Sequence, residues 1–129
     1  MRKVESQFGE GPLQQKLSTG DLRFLSDAEV TKGGGGTGPC PHEYLGAALA
    51  ACTSMTLKMY ASRKAMNLEN AIVTVDIERS DDIEKFARDI QLIGNLNAEE
   101  KERLMEIADK CPIHKALAGQ IQIKTQLVS

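Results

Sequence analysis

"GPCPHEYLGAALAACTSMTLKMYASRK", residues 38–64, is the stretch whose reading decides the fold. Pro39 and Pro41 hold its start extended, because a residue before proline avoids the helical region. A long helix is predicted from about residue 42 or 43 to 65. About 23 residues at 1.5 Å rise span roughly 34 Å. A compact domain of this length has a radius of gyration near ~14 Å, so the helix crosses most of it. Tyr44, Leu45, Ala47, Ala48, Leu49, Ala50, Ala51, Cys52 and Met55 cover more than one stripe. A helix apolar all round must be buried all round. One small chain can hardly cover it, so the expected assembly is a homodimer with these helices at its centre.

The rest of the composition agrees with one folded domain over residues 1–129. Its expected parts are N-terminal strands in 1–30, a Gly-rich loop over 31–41, and the central helix with a C-terminal α/β part over 42–129. Hydrophobic residues make up 41% of the chain and aromatics 4%, so the core is built mainly from Ala, Leu, Ile, Val and Met. A net charge of −2 points away from nucleic acid as a partner. The N-terminus has no secretory pattern, and polar residues interrupt the longest apolar run, so no membrane partner is expected. Three cysteines, an odd number, suit a cytoplasmic protein with reduced thiols better than a disulfide scaffold.

Outward from the helix, "PLQQKLS" and "DLRFLSD" read as short strands joined by a turn at Gly20-Asp21. "TKGGGGTGPCP" reads as a flexible loop. Its glycines do not form a phosphate loop, which needs Lys-Ser or Lys-Thr directly after them. "AIVTVDIER" alternates as a strand, "SDDIEK" is a turn, and a second strand is predicted from about Phe86 to Ile93. Asn97 with Glu100 is a capping pair that opens a helix through about Lys110. Leu104, Ile107 and Ala108 recur at helical spacing, and Cys111 continues their stripe. Pro112 starts a further helical turn, and "QIQIKTQLV" is expected to close the chain as a strand. Strands around two main helices give an α+β fold class.

The chemistry-bearing residues are Cys40, Cys52 and Cys111, with His42 and His114 nearby. Cys52 and Cys111 are too far apart in sequence for a C-x-x-C motif. Buried free cysteines are commonly inert small hydrophobes. At a helix start, however, unpaired N–H groups acidify a thiol, and Cys111 precedes Pro112. Cys40-x-His42 and Cys111-x-x-His114 form a weaker zinc pattern, because the usual frameworks have tighter and more regular pairs. No metal and no cofactor are expected.

Pro41-His42-Glu43-Tyr44-Leu45 leading to Ala51-Cys52, followed by "IADKCPIHKAL" with Cys111-Pro112, resembles the OsmC/Ohr family of osmotically induced and organic hydroperoxide resistance proteins, in its OsmC-like branch. The resemblance implies an intertwined homodimer, with central helices wrapped by antiparallel sheets. It implies a thiol peroxidase acting on organic hydroperoxides, with Cys52 as attacking thiolate and Cys111 closing a Cys52–Cys111 disulfide. A lipoyl-type dithiol would be the reductant. In the family a Glu near the helix start and an Arg from the N-terminal strands activate the attacking thiol. His42 stands at the Glu position here and Glu43 one residue along, so both are candidates. Arg23 lies closer to the helix than the family's Arg, and Arg63 lies about three turns, some ~16 Å, beyond Cys52. Tyr44, Leu49 and Met55 are the expected substrate-binding wall. The rival reading is a non-catalytic small-ligand-binding protein of the same fold whose thiols stay reduced.

Overall fold

The computed structural model describes residues 1–129. The chain divides into two compact units, Met1–Leu45 and Gly46–Ser129. The fold is α+β with antiparallel sheets.

The first unit holds strands β1 (Val4–Phe8), β2 (Gln15–Thr19) and β3 (Leu22–Ser26) in the order β1-β2-β3. The β2–β3 hairpin turns at Gly20-Asp21 as expected, with Thr19 opposite Leu22. β1 was not anticipated. All five of its residues are exposed, so it carries no apolar alternation to read. Beyond β3 the glycine-rich loop has only a 3-10 turn, Val30–Lys32, but it is anchored. The Asp27 carboxylate accepts from Ala28 N at 2.7 Å, Gly35 N at 3.3 Å and Thr37 N at 3.1 Å, and also from the Thr37 hydroxyl. Gly34 must be glycine, since a Cβ there would lie 2.1 Å from the Ala28 carbonyl oxygen. The long helix α1 runs from Pro41 to Arg63, and the unit boundary falls just after its first turn.

The second unit contains the remainder of α1, strands β4 (Asn70–Ser80) and β5 (Ile83–Ile93), and helices α2 (Ala98–Ala108) and α3 (Pro112–Ala118). β4 and β5 form one hairpin, closed at Asp81 and Asp82 with φ of 49° and 63°. The tight turn lets β5 begin three residues earlier than its apolar pattern suggested. The Asn97–Glu100 capping box is present: Asn97 Oδ1 accepts from Glu100 N at 2.8 Å, and Glu100 Oε1 accepts from Asn97 N at 3.0 Å.

The core sits where α1 meets α2 over the hairpin. Leu57, Ala61, Leu104, Ile107 and Ala108 are buried, flanked by Ala71, Ile90 and Leu92 from the strands. α1 buries one stripe only: Gly46, Leu49, Thr53, Leu57 and Ala61. Ala47, Ala48, Ala51, Met55 and Met59 are exposed. The C-terminal strand does not form. Residues 120–129 are irregular and exposed, because a strand needs a neighbouring edge to bond with and β4 and β5 pair only with each other. No helix is long and apolar enough to cross a membrane.

Candidate active site

The second unit gathers a thiol pair and a buried guanidinium. Cys111 is the N-cap of α3, and its sulfur accepts from His114 N at 3.2 Å. The side chain is fully buried. Cys52, half-buried on α1, hydrogen-bonds to Cys111 through its side chain. Both thiols are free, so the pair stands in its reduced form. Two residues from distant parts of the chain thus meet, because Cys52 lies beside the buried stripe of α1 and Cys111 ends the buried face of α2.

Burial pushes the Cys111 thiol up. Hydrogen bonds with His114 N, the Cys52 side chain, the Thr53 hydroxyl and Ile113 N outweigh that penalty and hold it below the ordinary cysteine value.

The positive charge near this pair comes from Arg88 on β5. Its Nη1 donates to Thr53 Oγ1 at 3.0 Å and to the Ala108 carbonyl at 3.3 Å. That carbonyl is among the last four of α2, which have no partner within the helix. Nη2 donates to Asp109 Oδ1 at 2.8 Å and faces His114 Nδ1 at 3.0 Å. The Arg88 side chain is 11% exposed, while that of Asp109 is 67% exposed, so the ion pair spans the boundary of the unit. Because a guanidinium only donates, the His114 ring accepts at Nδ1 and its proton sits on Nε2.

Beside this network lies an open cavity of about 390 Å³. Leu49, Phe86, Ile90, Met105 and Leu117 give it apolar walls, and Arg88 forms part of its polar side. Of the expected substrate wall, Leu49 lines this cavity. Met55 belongs to a separate apolar surface with Met59 and Arg63.

The other sequence candidates lie in the first unit. Glu43 Oε1 accepts from Cys40 N at 2.9 Å, which caps the start of α1. Hydrogen bonds from the Cys40 backbone and side chain hold its carboxyl below the usual range. Tyr44 donates its hydroxyl to Leu25 O and sets its ring edge-on to Phe24 at 5.7 Å. His42 is half-buried in the first turn of α1. Arg23 donates to Gly20 O at 3.0 Å and Leu22 O at 3.1 Å, so its guanidinium is engaged in the hairpin turn. No cluster of three or more His, Cys, Asp or Glu is placed to hold a metal ion.

Sequence reasoning missed Arg88 and Thr53. A signal was present for each: a polar residue interrupting an apolar stripe. Arg88 stands on the face of β5 shared by Phe86, Ile90 and Leu92, and Thr53 stands between Leu49 and Leu57.

The sequence model of the family described as OsmC-like protein matches residues 33–126. The chain belongs to the OsmC-like family. Three solved structures extend this OsmC-like assignment to the fold. An OsmC-like protein from Mycoplasma pneumoniae aligns with a TM-score of 0.78 at 19% identity, over 92% of this chain and 88% of that one. An organic hydroperoxide resistance protein OsmC from Legionella pneumophila gives 0.72 at 23% identity, over 92% and 90%. The organic hydroperoxide resistance protein OhrB of Bacillus subtilis gives 0.65 at 22% identity, over 96% and 95%. At these identities the likeness is one of fold. No curated protein sequence matches this one significantly.

Proposed function

We propose that this OsmC-like protein is a thiol-dependent peroxidase that reduces organic hydroperoxides in a reducing, cytoplasmic setting. The observation that carries the reading is the reduced Cys52–Cys111 pair, hydrogen-bonded together, with one thiol already acidified. The cavity lined by Arg88 and His114, which bond to Thr53 and to the Cys111 sulfur respectively, has apolar walls of Leu49, Phe86 and Ile90 that suit an organic peroxide better than hydrogen peroxide.

In this scheme the Cys52 thiolate attacks one peroxide oxygen. The S–O bond forms, the O–O bond breaks, and the alkoxide takes a proton and leaves as alcohol. Cys52 is now a sulfenic acid. The Cys111 thiolate attacks its sulfur, forming the disulfide and expelling hydroxide, which takes a proton to become water. A lipoyl-type dithiol restores both thiols by exchange and is itself oxidised. Leu49, which lines the cavity, is the candidate to contact substrate.

The working unit is a homodimer. The exposed Met55 and Met59 of α1, with Ala47, Ala48 and Ala51, form a face that a second copy of the helix would cover. The irregular 120–129 segment, with Ile121, Ile123 and Leu127 exposed, would find its missing strand edge in the same way. The cavity also supports a second reading, a ligand-binding protein whose thiols never turn over.

Consumption of cumene hydroperoxide with a dithiol reductant separates the two. Saturable turnover that exceeds the rate with hydrogen peroxide and disappears in Cys52→Ser is the expected result. Background rates from folded protein with free thiols would exclude the peroxidase. Cys52→Ser and Cys111→Ser compared in single-turnover peroxide consumption assign the attacking thiol, which is the one whose loss abolishes the first oxidation.

A further inference from the structure

The Thr53 hydroxyl has one proton and two lone pairs. Its O–H donates to the Leu49 carbonyl at 2.7 Å, and its oxygen accepts from Arg88 Nη1 at 3.0 Å. Its second lone pair faces the Cys111 sulfur at 3.9 Å. In that arrangement the Cys111 S–H is the donor and Thr53 the acceptor, which fits a protonated thiol. A thiolate has no proton to give and needs one. Rotation about the Thr53 C–O bond supplies it: the hydroxyl proton swings from Leu49 O to the sulfur. The Leu49 carbonyl keeps its ordinary helical partner, so the swing costs little. Arg88 donates to the oxygen in either orientation and holds it in place throughout.

We propose that Arg88 is a positioning residue for Cys111, fixing the Thr53 oxygen so that its hydroxyl proton switches toward the sulfur when Cys111 becomes a thiolate. The titratable and charged groups around this sulfur come from every element packed on it: Cys52 from α1, Arg88 from β5, Asp109 from the end of α2 and His114 from α3. Asp109 pairs with Nη2, the outer arm of the guanidinium, and leaves Nη1 for Thr53. The geometry places the fork of Arg88 at the centre, so that the β5 strand, the end of α2 and the stripe of α1 meet on a single cation. The switch rests on the peroxidase reading in one respect only: the thiolate it stabilises is the one that attacks the oxidised Cys52.

The test is a pH titration of the reduced full-length protein labelled with ¹³Cβ-cysteine, followed by NMR, which reads each thiol without requiring it to be exposed. R88Q, T53V, T53S and the R88Q/T53V double variant are compared with the unaltered protein. R88Q and T53V are each expected to raise the Cys111 midpoint by about one pH unit, which is roughly tenfold less thiolate at a fixed pH. T53S keeps the hydroxyl and should restore the original midpoint. Because Arg88 acts through Thr53, the double variant should shift no further than T53V alone. An unchanged midpoint in folded T53V, or fully additive shifts in the double variant, would overturn the proposal. Where R88Q does not fold, R88K, which keeps the charge but loses the second arm of the fork, takes its place in the same cycle. The titration needs no peroxide. Inactivity toward cumene hydroperoxide with the shifts intact would therefore remove the peroxidase and leave the positioning role standing.

Discussion

Leu57→Ala is the sharpest test of how the second unit is held together. Leu57 is fully buried, one turn beyond Thr53 on the same stripe of α1, and packs in the cluster with Leu104, Ile107 and Ala108. The substitution removes three carbon atoms. At about 0.8 kcal/mol per buried carbon the transfer loss is about 2.4 kcal/mol. The cavity left between α1 and α2 adds to it, since a core gripped from two helices and a hairpin relaxes only in part, for a total of about 3–4 kcal/mol. That is a large share of the roughly 5–15 kcal/mol that stabilises a domain. Urea unfolding at one fixed protein concentration should show the midpoint falling by more than about 1 M with the slope unchanged. Met59→Ala on the same helix is the companion measurement. Met59 is 65% exposed in the single chain, so its truncation should cost less than about 0.5 kcal/mol in a monomer. A clearly larger, concentration-dependent cost would place it under a partner helix. A loss below about 1 kcal/mol for Leu57→Ala would refute the assignment of this cluster as the core.

Three further outcomes are expected. Asn97→Ala removes half of the α2 capping box and should cost about 1 kcal/mol in urea unfolding, while Asn97→Ser should cost little. Asp27, drawn down from 3.8 to about 2 chiefly by the Thr37 hydroxyl, stabilises the fold fully above the unfolded value and loses that contribution as pH falls through the folded one. Stability should therefore decline between about pH 4 and 2, and Asp27→Asn should flatten that limb of a thermal-melt series. After one equivalent of organic hydroperoxide, peptide mass mapping should find Cys52 linked to Cys111. Thiols that remain unlinked, or a link through Cys40 instead, would count against Cys111 as the resolving residue.

Local chemistry was enough to place most of the elements. The α1 helix, the β4 alternation, the Asn97–Glu100 cap and the Cys111-Pro112 helix start each depend on residues within a turn or two of one another. That Cys52 and Cys111 could meet in space was legible as well, because each lies on or beside an apolar stripe. β1 escaped notice because none of its side chains is buried. A cation near the thiols was sought in the N-terminal strands, but the structure engages Arg23 in a hairpin turn and bonds Arg88 to Thr53, the residue after Cys52. Reading Arg88 as a lone charge on the apolar face of β5 would have flagged it as a buried polar residue needing partners. It would not have named those partners. Thr53, Ala108, Asp109 and His114 come from three other elements, and only the packing of those elements brings them to one guanidinium. The C-terminal segment makes the same point in reverse: its alternation is sound, but an isolated strand has no ladder to join. Sequence thus determined what each segment is able to form, since helix period, strand period and caps are local properties. Tertiary structure decided which polar groups are satisfied and by whom, since a buried hydrogen bond depends on atoms brought together from distant parts of the chain.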